Sequence, residues 1–469
     1  MRLLGLLERE APLVGAACLY AVVVLLTLPQ QLVQDSWLTL ASGREIVRHG
    51  LPNHDTLAVW THGKVWVDQQ WLAQLAFYGL HVLGGLRLVL LGHALLLVAA
   101  LVSALVLARR AGASPRSVAL VALGAMLVAP WALQLRAQSF APLLFVWVLG
   151  LLAADSRAPS RRVWWTLPLL ALWANLHGTI VLGAALVAWR GATALPRRRA
   201  LPLLAAPLLV FASPYGFSLA GYYRRLLVNP LLPSFLDEWR SSAPSQRTAL
   251  FFLLAFAAIG LVARHGRGLT LFERGALLLT LVSALAAIRS IVWFALACVV
   301  LLPRLVDVAL PRLRLPAQRV FAAAGLAVAA AVAVFSVARP LSSLTRDWPR
   351  GAARAVAEQP DGRVFADDRT ADWLLWEEPR LAGRLAYDVR FELFDDRQFR
   401  ELLAFRNRAG DDWRRAADGY RVFTLDPRTE HSLEHALLAE PGARLVYRAP
   451  GLDVLVRPPR SGPGVERVE

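Results

Sequence analysis

The sequence predicts an α-helical polytopic membrane protein, of about eleven transmembrane helices, that carries a small α/β domain at its C-terminus. Apolar runs of 17 or more residues recur as far as about residue 338 in a 469-residue chain that is 57% hydrophobic. The mean hydropathy is +0.47, well above that of an ordinary soluble enzyme. Beyond residue 341 charged residues become frequent and apolar runs shrink to strand length.

The first run, residues 11–33, is too long for a secretory leader and lacks a small-residue cleavage site, so it reads as a retained helix. Later spans are expected at 86–108, 117–134, 139–154, 163–178, 180–195, 201–215, 247–263, 271–288, 290–306 and 319–338. Residues 69–84 are apolar but short and rich in Trp, Tyr and His, which suits an interfacial helix.

A net charge of +17 would suggest nucleic acid in a soluble protein. Here the arginines gather in short loops: Arg109 and Arg110, Arg161 and Arg162, Arg197 to Arg199, Arg264 and Arg267, Arg312 and Arg314. That pattern is an orientation signal, and no basic-aromatic stripe accompanies it. With Arg2 and Arg9 cytoplasmic and residues 69–84 left out of the spans, every cluster falls inside. The C-terminus is then outside. Cys18 and Cys298 lie in apolar runs and read as small core residues, not as a disulfide or zinc framework.

Three regions face outward together in this topology: the 34–72 loop, the 216–246 loop and the tail after residue 340. Arg136 in "QLRAQSF", His177 in "WANLHGT" and Arg289 in "AIRSIVWF" stand at the outer ends of spans. Each alone reads as a helix-end anchor. Their convergence points to a polar cleft, because charge near the hydrocarbon boundary is costly without a partner or water.

The tail offers five strand-like segments, "GRVFAD", "GRLAYD", "YRVFTLD", "ARLVYRA" and "LDVLVRP", the first four separated by helical stretches. This predicts a largely parallel sheet. Asp367, Asp388 and Asp426 end strands, where ligands bind in such folds, although helix caps and turns use the same residues. No Gly-rich phosphate loop, nucleophile elbow or zinc spacing occurs in the tail.

The 34–72 loop, "QDSWLTLASGREIVRHGLPNHDTLAVWTHGKVWVDQQWL", concentrates polar chemistry: Asp35, Glu45, Asp55 and Asp68 with three histidines and four tryptophans. Asp35 follows directly on a long apolar helix. A carboxyl held rigidly where the dielectric falls can have its pKa raised, as a general base needs. Residues 36–49 read as an amphipathic helix on the membrane surface, with Trp37, Leu38, Ala41, Ile46 and Val47 opposite Ser42, Arg44, Glu45 and Arg48. Trp37, Trp60, Trp66 and Trp71 suit an interfacial belt or stacking on sugars.

That loop, followed by "WANLHGTIVLG" and "LDEW", resembles the GT-C superfamily of polytopic glycosyltransferases, in a bacterial branch, over roughly residues 1–340. The resemblance implies a transmembrane domain over 1–340, with residues 34–85 forming its first outer loop, and an extracytoplasmic domain over 341–469. It implies a protein of the bacterial cytoplasmic membrane that uses a polyprenyl-phosphate-linked sugar and an acceptor glycan, lipid or protein. Asp35 matches the acid that deprotonates the acceptor hydroxyl. Asp55 and Asp68 match later acids of the loop that bind acceptor, sugar hydroxyls or a metal, with Asp35 and Asp68 the candidate ligands for Mg or Mn. His54, Trp71 and Glu238 join them as candidate substrate contacts. Arg136, His177 and Arg289 would hold the lipid phosphate, for which a guanidinium fork is suited. The chain departs from the superfamily at Ser36 and Trp37, where many members carry a second acid, and in lacking their proline-rich signature.

A non-catalytic membrane protein, either a transporter of lipid-linked sugars or an envelope assembly factor, is the alternative. Coupled carriers place ionisable groups near mid-membrane, whereas Glu273 and Asp307 are expected near cytoplasmic ends, and no inverted repeat is visible.

Overall fold

The computed structural model describes residues 8–194, 197–311, 319–359, 362–410 and 413–458. Arg2, Arg312 and Arg314 of the expected arginine clusters lie outside the described residues, as do the side chains of Arg197 to Arg199. The chain is mostly helical, with one four-stranded sheet near its end.

Every expected span falls on helix, but the helices are unequal. Four are long and apolar enough to cross a membrane: Trp71–Arg110, Ala137–Arg157, Ala249–Gly268 and Arg319–Ala338. Ile288–Leu301 and Pro303–Ala309, bent by 58°, make a fifth if counted as one. The expected count of eleven therefore exceeds what the described helices show by length and composition. Proline and short 3-10 turns account for the difference. The first helix, Ala11–Leu26, stops at Thr27, one residue before a short turn Leu28–Gln31 that contains Pro29. Pro115–Leu127 ends just before a 3-10 turn that begins at Pro130. Ile180–Ala192 follows Thr166–Leu176 after a break at residues 177–179.

The expected boundary between an interfacial helix and the second span is visible as a kink. In Trp71–Arg110 the backbone leaves the helix at Gly84 and Gly85, and Gly85 takes a φ of +66° that few side chains tolerate. The arm before the kink does not simply lie at an interface. Its Tyr78 and His81 pack on Trp376 of the tail, the His81 ring at 4.8 Å.

The Gln34–His49 helix also departs from expectation. It is wedged rather than laid on a surface, with Ser36, Thr39 and Ser42 as buried as Trp37, Leu38 and Ala41. Gly43 permits the fit, because a Cβ there would stand 2.4 Å from the carbonyl oxygen of Gln74. On its other side, Arg44 caps the tail helix Asp368–Glu377 by donating to the carbonyls of Leu375 and Trp376 at 2.6 and 2.8 Å. One apolar core then runs from Trp37, Leu40 and Phe77 into Trp348, Trp373 and Val454.

The tail sheet comprises β1 (Arg363–Ala366), β2 (Tyr420–Leu425), β3 (Arg444–Ala449) and β4 (Leu452–Val456), ordered β1-β2-β4-β3. Only β1 and β2 are parallel, which corrects the expected largely parallel sheet. The reason is local: β3 and β4 are joined by a tight turn in which Gly451 takes a φ of +82°, and a hairpin must be antiparallel. "GRLAYD" is not a regular strand. Instead it bridges β1 to the first loop, with Val59 and Trp60 donating to the carbonyls of Leu385 and Ala386 at 2.8 and 3.0 Å. Loop and tail are thus stitched through backbone as well as core.

Candidate active site

Helices of the bundle carry two kinds of end. Ala141–Arg157 begins five residues after Arg136, Ile180–Ala192 begins just after His177, and Leu271–Ala286 ends just before Arg289. The breaks in the helices therefore gather Arg136, His177 and Arg289 at one level. Together with Asp35 and Glu238 they line a cleft of about 900 Å³. Irregular backbone at such breaks is tolerated where it borders a wet cavity.

Asp35 is the first-turn acid of its helix, and the Arg136 guanidinium stands beside it, Nε to Oδ2 3.0 Å. The contact is one of charges rather than an aligned hydrogen bond, since the Nε–H has no hydrogen-bond acceptor. Arg136 donates instead through Nη1 to Oε2 of Glu238, at 2.7 Å. Glu238 reaches a second guanidinium through Oε1, 3.6 Å from Nη1 of Arg289. Arg289 lies over the ring of Trp239 at 4.4 Å, and Arg247 over that of Trp131 at 5.0 Å. Burial raises the Asp35 carboxyl above its ordinary range, assisted by Glu238 and opposed by Arg136 and Arg289. Burial also pushes Glu238 upward, but the two guanidiniums outweigh it and hold that carboxyl below the usual range.

His177 is oriented locally. The backbone N–H of Thr179 donates to its Nδ1 at 3.2 Å, so a neutral ring carries its proton on Nε2. Leu182 and Ala185 on one helix and Leu279 on another form an apolar flank of the cleft. The tail supplies the facing wall through Asp368, Arg390 and Glu392.

The other expected site residues stand apart from this lining. Asp55 is fully buried and tied up: it accepts from Arg390 Nη2 at 2.7 Å, from the Leu57 N–H at 3.0 Å and from Thr61. Its partner Arg390 also pairs with Asp388 and lies over Trp66. Asp55 thus ties loop to tail, apart from the cleft lining where Asp35 stands. Asp68 is 2% exposed and accepts from Gln74 Nε2 at 2.9 Å. Its Oδ2 and the Oε1 of Gln74 are both buried acceptors without a donor, and burial pushes the Asp68 carboxyl up to about 7. Trp71 donates to Oδ1 of Asn175 at 3.0 Å, and His54 is exposed. In the tail, Asp367 caps its helix through the Thr370 N–H at 2.9 Å and Asp426 holds a turn with Arg428, as the cap-and-turn reading has it.

No three His, Cys, Asp or Glu side chains come together as metal donors among the described residues. The cation beside Asp35 is a guanidinium, and the residues do not fit the Mg or Mn site that Asp35 and Asp68 suggested.

No protein-family model matches the chain, and neither does any curated protein. Solved structures do resemble it in fold, among them two of archaeal origin. One is the apo form of the oligosaccharyltransferase of Archaeoglobus fulgidus, with a TM-score of 0.52, 12% identity, and coverage of 87% of this chain and 69% of that one. The other is the archaeal oligosaccharyltransferase AglB from the same organism, in complex with an inhibitory peptide and a dolichol-phosphate. It aligns at a TM-score of 0.55 and 11% identity, over 96% of this chain and 74% of AglB. The chain shares its fold with these archaeal oligosaccharyltransferases.

Proposed function

We propose that the protein is an inverting membrane glycosyltransferase that moves a sugar from a polyprenyl-phosphate donor to an acceptor glycan, lipid or protein. The observation that carries this reading is the pairing, in one cleft, of the Asp35 carboxylate with the Arg136, Glu238 and Arg289 network. The dolichol-phosphate in the AglB complex supports a lipid phosphate as the donor's leaving group.

In this reading the acceptor hydroxyl attacks the anomeric carbon from the side of Asp35, whose carboxylate takes the hydroxyl proton. The bond from that carbon to the phosphate oxygen breaks, and its electron pair leaves with the phosphate. Arg136 and Arg289 neutralise the departing charge, so no acid is needed at the leaving group. His177 donates from Nε2 to the phosphate or sugar, and the prenyl chain follows the apolar flank at Leu182 and Leu279. Residues 1–340 would act as the transmembrane domain, of up to eleven spans, and residues 341–469 as an extracytoplasmic domain closing the acceptor side. The N-terminus would be cytoplasmic, in a bacterial cytoplasmic membrane.

Proteoliposomes of the purified protein, given a radiolabelled polyprenyl-phosphate sugar and envelope extract, should move label from the donor to an acceptor with inverted configuration. A panel of such donors from which no label is lost would remove the enzymatic reading and leave the carrier or assembly role.

A further inference from the structure

Glu238 sits where an anion would be bound. Its two carboxylate oxygens face two different guanidiniums, Oε2 toward Arg136 and Oε1 toward Arg289. That is the bridging arrangement in which two arginines clasp a tetrahedral oxyanion. Arg136 faces a second carboxylate through Nε, 3.0 Å from Oδ2 of Asp35 but without an aligned hydrogen bond to it.

The segment that delivers Glu238 is a short 3-10 turn, Asp237–Trp239. Trp239 donates to the carbonyl of Leu236 and Arg240 to that of Asp237, both within one 3-10 turn. Asp237 and Arg240, which pair with each other, keep 64% and 57% of their side-chain exposure. Backbone anchoring to the bundle follows, where Ile288 donates to the carbonyl of Arg240 and Ser242 to that of Leu285, at 3.0 and 2.9 Å. On the other side, Phe235 packs on Phe391 and Phe399 of the tail, at 5.7 and 4.9 Å. Phe391 adjoins Arg390 and Glu392 in the facing wall of the cleft.

We infer that Glu238 is a resident stand-in for the ligand's phosphate, displaced from Arg136 and Arg289 when a prenyl phosphate binds. The inference rests on the donor reading above and deepens it. The empty cleft keeps its guanidiniums neutralised and spaced by their own carboxylate, and binding exchanges one anion for another. Because Phe235 lies three residues before Glu238 and against the tail, departure of the carboxylate is transmitted to the wall opposite Asp35. Asp35 keeps its contact with Arg136 throughout, Nε to Oδ2 3.0 Å.

The test is binding of farnesyl phosphate, and separately of inorganic phosphate, to the full chain in nanodiscs. Glu238→Gln removes the competing charge and should bind farnesyl phosphate about tenfold tighter than wild type, which is the size of a modest charge competition. Glu238→Asp, which keeps the charge but shortens its reach, should fall between them. If Glu238→Gln proves unstable alone, its melting temperature should rise more on adding farnesyl phosphate than that of the wild type does. Equal or weaker binding by Glu238→Gln, with wild type binding well, overturns the stand-in role and makes Glu238 a prop for the arginines. A tightening seen with inorganic phosphate alone overturns the lipid source but keeps the displaced carboxylate. No binding of either probe to any variant overturns both the inference and the donor reading.

Discussion

The two ends of the helical bundle use the same residue types to opposite effect. At the end away from the cleft, Asp155 accepts from Arg190 Nε and from the Ser160 N–H at 3.0 and 2.8 Å, with both acid and base side chains nearly buried. Beside it, Glu273 pairs with Arg157 and Arg304, and Asp307 takes hydrogen bonds from Ser114 and Ser117. The helices that carry these groups are the ones whose other ends carry Arg136, His177 and Arg289. At the cleft end the acids and arginines meet in the open, around about 900 Å³ of accessible space. Closed networks lock helix ends together. The open one leaves charge available to a ligand, so charge pairing alone does not mark a site; the cavity does.

If that contrast is right, damage at the closed end should be structural. Asp155→Asn leaves Arg190 buried without its counter-charge, for which a loss of about 3–5 kcal/mol of stability is expected. Chemical or thermal denaturation in detergent measures it. Turnover per folded molecule should hardly change, and a large drop in turnover at unchanged stability would break the comparison.

A smaller effect concerns pH. Asp68 has a folded pKa of about 7, against about 3.9 when unfolded. The folded chain thus holds a proton that the unfolded chain releases between about pH 4 and 7, so stability falls as pH rises through that window and then levels off. Asp68→Asn keeps an acceptor for Gln74 and removes the charge. It should flatten this part of the curve and stabilise the protein at pH 8 by about 1–3 kcal/mol relative to wild type. Parallel curves for wild type and variant would show that Asp68 is not buried as a carboxyl.

How much of this was visible in the sequence depends on the distance over which partners meet. Arg136, His177 and Arg289 were legible because each interrupts an apolar run at a helix end, and Asp35 because it follows one. Glu238 stood out in "LDEW". The pairing of Asp55 was not legible, since its partner, Arg390, lies 335 residues away and no local pattern announces it. The tail wall of the cleft, Asp368, Arg390 and Glu392, was missed for the same reason. Hydropathy likewise did not give the helix lengths. A run such as 163–178 is apolar because it is packed inside protein, with Leu170 and Trp173 fully buried, and its helix is only 11 residues long. The α/β character of the tail was readable, whereas its strand directions depended on a turn at Gly451.

In the proposed function two acids of one loop, 20 positions apart, divide labour: Asp35 acts as base in the cleft, while Asp55 pairs with Arg390 of the tail. Sugar transfer by Asp35→Asn, assayed in proteoliposomes alongside its melting curve, tests it most directly. The expected result is a loss of at least about a hundredfold in transfer, the scale of a missing general base, with melting close to that of wild type. Transfer within a few fold of wild type, in a protein that melts normally, would contradict it.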